Sequence, residues 1–230
     1  MSRIRIATYN VHSGVGVDRR FRPERILAVI VELEADIVAM QEVLSPVAGF
    51  DVHEHLRAET GFHLATMATM QLAGGTFGNA VLSRWPIVDV VEHSLGVGTR
   101  EPRGALDVML KRGRSTLRVI STHLGLSAAE RRQQTERLLD IVRAGPDVPT
   151  LLAGDFNVTS ARGRELRACH EHFGHFDAPR TFPSIAPVLP LDRIFVMPCS
   201  ALLGVAAHRS RRARIASDHL PLVATLEVPE

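Results

Sequence analysis

Five times in this chain an apolar segment stands directly beside a polar group that chemistry can use. Ile4 to Tyr9 alternates apolar and polar residues and ends at Asn10, and Ile37-Val38-Ala39-Met40 ends at Gln41-Glu42. Leu117 to Ser121 ends at Thr122-His123, and Thr150 to Ala153 breaks at Gly154 into Asp155-Phe156-Asn157. Ser217-Asp218-His219 stands just before the closing run Leu222 to Val228. Short apolar runs bounded by turn residues read as buried strands. A strand buried on both faces requires a sheet covered on both sides, so the chain must fold in layers.

The intervening segments say what those layers are. Pro23 opens a helical spacing of Ile26, Leu27, Ile30, Val31 and Leu33 that runs to Glu34. Val52 to Thr60 reads as a short helix. Ser127-Ala128-Ala129-Glu130 is a capping box, followed by Leu138, Leu139, Ile141 and Val142 in helical spacing. A further helix is expected over Arg162 to Cys169. Phe62 to Ala68 and Gly78 to Leu82 flank a Gly74-Gly75 turn, and Ile87 to Leu95 is another strand. Ala105 to Leu110 pairs with Leu117 to Ser121 across Arg112-Gly113, and Arg193 to Val196 and Ala201 to Ala207 follow as strands. Hairpins thus mix with strand-helix-strand units, about ten strands with roughly four helices. The expected architecture is α/β: mixed β-sheets packed face to face with helices outside. No linker or repeat divides residues 1–230, so one domain is expected.

Bulk composition narrows the functional classes. The net charge of +2 announces no strong global field for nucleic acid. Lys111 is the one lysine, and the arginines suit bidentate phosphate contacts. Cys169 and Cys199 make no metal-binding spacing. No signal-peptide core and no apolar run of membrane-spanning length is present, so a cytoplasmic, soluble monomer is the expectation.

If the polar strand ends share one edge, that edge holds three carboxylates, two amides and two imidazoles. Hard oxygen donors with few sulfurs favour Mg²⁺ or Mn²⁺ over zinc, and such an ion acts on a phosphoryl oxygen as a Lewis acid. If extended geometry persists past Gly154, Asp155 and Asn157 point the same way. A carboxylate and an amide so placed suit holding a water and steadying developing charge. Asp192, in Leu191-Asp192-Arg193-Ile194, either pairs with an arginine or orients a histidine.

The order of the blocks Thr8-Tyr9-Asn10, Gln41-Glu42, Gly78-Asn79 through Leu82-Ser83-Arg84, Thr122-His123, Gly154-Asp155-Phe156-Asn157, Asp192-Arg193-Ile194 and Ser217-Asp218-His219 resembles the endonuclease/exonuclease/phosphatase superfamily over residues 4 to 226. That superfamily includes pancreatic-type deoxyribonuclease, abasic-site endonucleases, neutral sphingomyelinases and inositol polyphosphate 5-phosphatases. The resemblance implies a four-layer α/β sandwich and metal-dependent cleavage of phosphoesters. It implies that Glu42 is the principal Mg²⁺ ligand with Asn10 beside it, and that Asp218 joins the metal and water network. Asp155 would orient the attacking water, Asn157 would contact phosphate, and Asp192 would hold His219. His219 would be either the general base or a phosphate-stabilising imidazolium. His123 would contact phosphate or protonate the leaving oxygen, with Asn79 and Arg103 supporting the cleft. His12 replaces the acidic residue typical of abasic endonucleases, and His123 replaces their tyrosine. Short, stand-alone bacterial members are the most similar overall.

The substrate is left open by these residues. Arg209, Arg211, Arg212 and Arg214 suit a nucleic-acid backbone, although aromatic residues for stacking make up only 5% of the chain. Thr181 to Pro190 reads either as a greasy rim for a phospholipid head group or as a packed, proline-stiffened loop. A small phosphodiester or a sugar or inositol phosphate is the remaining class.

Overall fold

The structure is a computed structural model that describes residues 2–228 apart from residues 48, 73, 161, 162 and 177. Eleven strands are described: β1 (Ser2–Asn10), β2 (Ile37–Ser45), β3 (His63–Leu72), β4 (Gly75–Ser83), β5 (Ile87–Ser94), β6 (Gly104–Arg112), β7 (Ser115–His123), β8 (Thr150–Asp155), β9 (Asp192–Met197), β10 (Leu202–Ala207) and β11 (Leu222–Val228). Five helices accompany them: α1 (Pro23–Leu33), α2 (Val52–Thr60), α3 (Ala128–Ala144), α4 (Arg167–Phe173) and α5 (Ala213–Ala216). The strands form a six-stranded sheet in the order β10-β11-β1-β2-β4-β3 and a five-stranded sheet in the order β5-β6-β7-β8-β9. Each sheet contains one parallel pair, β1 with β2 and β7 with β8, and is otherwise antiparallel.

The period-two alternation of β1 and β2 builds the layers. Ile4, Ile6, Ile37 and Ala39 enter the core shared with the second sheet. Ala7, Tyr9, Val38 and Met40 face the other way, onto Ile26, Val29, Ile30 and Leu33 of α1 and Leu56 of α2. On the far side, Leu138, Leu139 and Val142 of α3 and Cys169 and Phe173 of α4 cover the second sheet. The result is a four-layer α/β sandwich of two mixed sheets with helices outside.

Local capping chemistry is as the sequence dictates. The Ser127 hydroxyl accepts from the Glu130 amide at the start of α3, and the Asp51 carboxylate accepts from the Glu54 amide at the start of α2. Three details depart from expectation. The second strand does not stop at Glu42: a bulge between Met40 and Val43 lets β2 continue to Ser45. The arginine-rich segment ends in the short helix α5. The helix expected over 162–169 is a tight turn at Arg164–Leu166 followed by α4, and Arg162 lies outside the described residues.

Candidate active site

The C-terminal ends of β1, β2, β7 and β8 meet at one edge of the sandwich, because the two parallel pairs lie near the middle of their sheets. Beneath them a buried polar ladder crosses between the sheets: the Thr8 hydroxyl donates to Gln41 Oε1 (3.2 Å), and Gln41 Nε2 donates to Ser121 Oγ (3.3 Å). Above it, Asn10 Nδ2 donates both to Glu42 Oε1 (2.9 Å) and to Asp155 Oδ2 (3.1 Å). One amide therefore ties the carboxylates of two different sheets together.

Two imidazoles flank Asp155. His123 Nε2 and His219 Nε2 each lie 3.6 Å from Asp155 Oδ2. His219 Nδ1 donates to Asp192 Oδ2 (2.9 Å), and the Thr181 hydroxyl donates to the same oxygen (2.5 Å). The Arg193 guanidinium does not take the Asp192 carboxylate. It donates instead to the carbonyls of Pro190, Asp192, Val158 and Ser160, pinning the loops around the site. Asp192 is thereby left to orient His219. Phe182 packs against the His219 ring with centroids 4.9 Å apart.

The second imidazole is set by a cation. Arg103 Nη1 lies 2.8 Å from His123 Nδ1, and both side chains are buried. A guanidinium can only donate, so Nδ1 must carry the lone pair and the ring proton sits on Nε2. Nε2–H then points toward Asp155 and toward Glu42 Oε1, 3.9 Å away. The 3.2 Å approach of Asn157 Nδ2 to this nitrogen is a donor meeting a donor, and that amide donates instead to the Leu124 carbonyl (2.9 Å).

These surroundings push the titratable groups apart. Burial, reinforced by the Arg103 and His219 charges, holds the His123 imidazole well below its ordinary value of 6.5. For His219 burial works the other way from its partners, but Asp192, Asp155 and Asp218 outweigh it and lift the imidazole to about 10. Burial, with Asp192 adding, raises Asp155 to about 7, against the opposing pull of His219 and the hydrogen bonds from Asn157 and Asn10. The two histidines are thus held in opposite charge states around a carboxyl poised near neutrality.

Backbone strain concentrates here. Among the described residues six non-glycine positions have left-handed φ, and four of them are His12 (46°), Ser13 (53°), Glu42 (56°) and Asn157 (54°). At Glu42 this conformation coincides with the β2 bulge, which re-aims the carboxylate. At Asn157 it ends the extended geometry expected past Gly154. The Asn157 amide donates to Asp155 Oδ1 (2.9 Å), and both side chains still reach His123 Nε2, Asn157 Nδ2 at 3.2 Å and Asp155 Oδ2 at 3.6 Å.

Of the residues expected from sequence, Asn10, Glu42, His123, Asp155, Asn157, Asp192 and His219 form one connected group. Asn79 and Arg103 line a recess with Glu42 and His123, and Asn79 Nδ2 donates to the Gly104 carbonyl (3.1 Å). Asp218 borders this group: its carboxylate is about one-third exposed and lies 3.3 Å from Ser217 Oγ and 3.8 Å from His12 Nδ1. Asp155, Asp192 and His219 offer ligand atoms that all fall within 4.8 Å of one another. The sequence assigns no role to two further members, although Ser217 belongs to the Ser217-Asp218-His219 block. Thr181 supports Asp192, and Ser217 Oγ donates to the Asn10 carbonyl (2.7 Å).

A sandwich of two mixed sheets with this acidic, imidazole-flanked edge belongs to the deoxyribonuclease-I-like class of folds. The chain is a member of the Endonuclease/Exonuclease/phosphatase family, whose sequence model matches residues 7–219. Members of that family are phosphoester hydrolases. The uncharacterized protein YbhP of Escherichia coli (strain K12) is 32% identical over 244 residues, covering 97% of this chain and 96% of that protein. The endonuclease/exonuclease/phosphatase of Beutenbergia cavernae DSM 12333 superposes with a TM-score of 0.77 at 25% identity, over 98% of this chain and 72% of that one. The mannosyl-6-phosphatase Bt3783 of Bacteroides thetaiotaomicron VPI-5482 shares the fold, with a TM-score of 0.81 at 17% identity over 98% of this chain and 100% of that one.

Proposed function

We propose that this chain is a divalent-metal-dependent phosphoester hydrolase, and within that class a phosphodiesterase in which Asp155 accepts the proton of the attacking water. The observation that carries the reading is the position of the Asp155 carboxyl. It is buried between two imidazoles at 3.6 Å and joined through Asn10 to Glu42.

The donor chemistry fits Mg²⁺ or Mn²⁺. Glu42, Asp155 and Asp192 supply hard oxygen atoms, neither cysteine belongs to the site, and Asp192 Oδ1 is buried with no hydrogen-bond partner. Glu42 and Asn10 would hold the ion, with Asp218 in the surrounding water network. Bound there, the cation would supply Lewis-acid stabilisation of phosphoryl and leaving-group oxygen. The protein's own groups do the rest. Asp155, poised near neutrality, takes the proton of the attacking water as the water oxygen bonds to phosphorus and the ester P–O bond breaks. The leaving oxygen takes up a proton from solvent, and Asp155 then releases its own. His219, kept protonated by Asp192, stabilises charge on the phosphoryl oxygens and is a poor base. His123 presents Nε2–H to a second phosphoryl oxygen, and Asn157, Asn79 and Arg103 complete the polar wall around phosphate.

The test is a panel of phosphodiesters and phosphomonoesters assayed with Mg²⁺, Mn²⁺, Ca²⁺ and EDTA. The phosphatase activity named for the Bacteroides protein of like fold makes a sugar phosphate a necessary member of that panel. Diester turnover that needs added metal and is lost in Glu42→Ala and His219→Ala, with circular dichroism unchanged, is expected. No hydrolysis of any member with any metal would overturn the reading.

A further inference from the structure

Two segments that border His219 carry an unusual combination of charge and exposed aliphatic surface. Residues 178–191 and 208–216 contain Arg180, Arg209, Arg211, Arg212 and Arg214 and neither Asp nor Glu. The whole chain is +2, so these five arginines leave a net −3 on everything else. The segments are locked together. Ser184 Oγ lies 3.0 Å from the Arg214 carbonyl and donates to the Ser217 carbonyl at 2.7 Å, and Arg214 Nη1 donates to the Ile185 carbonyl (2.6 Å). Their large aliphatic side chains are not packed away: Ile185 is 60% exposed, Val188 57% and Ile215 47%. The loop is packed at Thr181, Ser184, Pro190 and Leu191 and leaves Ile185 and Val188 exposed at its tip. On the other side of Asp155, the loop that follows His123 exposes Leu126.

We infer that this face docks on an anionic lipid bilayer, with Ile185, Val188 and Ile215 entering the head-group boundary and Arg180, Arg209 and Arg211 meeting lipid phosphates. Charge complementarity names the partner, because basic residues around an aliphatic tip match a negatively charged interface. The same arginines would also meet a nucleic-acid backbone. However, single strands are held by stacking on aromatic rings, and the tips here are aliphatic, while Phe182 is engaged with His219. Arg212 is partly committed to Glu32 at 3.5 Å, so Arg180, Arg209 and Arg211 carry the contact. The surface adjoins the cleft, and in that respect the inference rests on the hydrolase reading: docking would hold the cleft over lipid head groups.

The experiment is co-sedimentation of the full chain, in EDTA and without substrate, with phosphatidylcholine vesicles and with vesicles enriched in phosphatidylglycerol. Binding to the anionic vesicles only, weakened by salt, is expected. Arg209→Ser/Arg211→Ser should lower the partition coefficient by roughly thirtyfold, from about a factor of five for each basic residue near the surface. Ile185→Asn/Val188→Asn, which leaves charge unchanged, should lower it by roughly tenfold or more. Both variants should keep parental turnover of a water-soluble phosphoester, which also reports that they are folded. Equal partition to both vesicle types, no binding to either, or an Ile185→Asn/Val188→Asn variant that binds vesicles as the parent does would overturn the inference. Salt-sensitive retention of duplex DNA without vesicle binding would overturn it in favour of a nucleic-acid surface. Because metal and substrate are absent, vesicle binding can fail while hydrolysis survives, and Glu42→Ala can abolish hydrolysis while vesicle binding survives.

Discussion

At the scale of single residues, the chemistry turns on which groups hold protons. In the unfolded chain Asp155 titrates near 3.8, and in the folded chain near 7, because burial disfavours its charge. The folded state binds the extra proton between those values, so stability falls as pH rises through that window. Asp155→Asn removes this fall. In metal-free protein its urea midpoint should exceed the parent's above pH 7 while turnover is lost, and parental activity should rise with pH through neutrality. An unchanged midpoint would show that the carboxyl is already ionised at low pH. The Arg103 contact makes a second claim. Long-range ¹H–¹⁵N correlation should find His123 protonated on Nε2, and Arg103→Met should let that ring gain a proton at a higher pH than in the parent. A proton on Nδ1 in the parent would contradict the assignment. The polar strand ends were legible in sequence because each stands beside an apolar run. The pairing of His123 with a cation was not, since Arg103 and His123 meet only when the start of β6 lies antiparallel beside the end of β7. Nor was the link from the Asp218 carboxylate to the Asn10 backbone, which runs through the Ser217 hydroxyl.

At the scale of elements, the second sheet is fastened to its helical cover by one buried ion pair. Arg118 on β7 donates from Nε and Nη2 to the Asp107 carboxylate on β6, at 2.6 to 3.1 Å. The same guanidinium donates to the carbonyls of Ile141 and Val142 in the last turn of α3. Arg118→Met would leave Asp107 with His93 Nε2 alone, 3.4 Å away, and is expected to cost up to about 3 kcal/mol, the lower end for a broken buried pair. Adding Asp107→Leu should restore much of that loss, and chemical denaturation of the two variants checks both statements. Element types were readable where capping and periodicity agree, as for α2 and β11, whose expected limits match those observed. The misreadings have physical causes. The bulge at Gln41-Glu42 lets a strand continue through a polar dipeptide, and α5 is a single turn whose Ala213 and Ala216 are recruited by the core beside α1 rather than by any helical pattern.

At the scale of the whole molecule, carboxylates gathered from both sheets make the edge of the sandwich a place where a cation should act as a clasp. A ligand that binds only the folded state at about 100 times its Kd adds about 2.7 kcal/mol, and for a chain of this size each kcal/mol raises Tm by about 2–4 °C. Saturating Mg²⁺ or Mn²⁺ should therefore raise Tm by roughly 5–10 °C in differential scanning calorimetry. Glu42→Ala should abolish most of the rise, and an equal rise in that variant would place the ion elsewhere. No helix among the described residues is long and apolar enough to cross a membrane. The pairing of β1 with β11 carries a further consequence for biosynthesis. Asn10 is made well before His219, and residues 222–228 emerge later still to pair with β1. A nascent chain on the ribosome thus holds only half of this edge until residues 217–228 have emerged to join it.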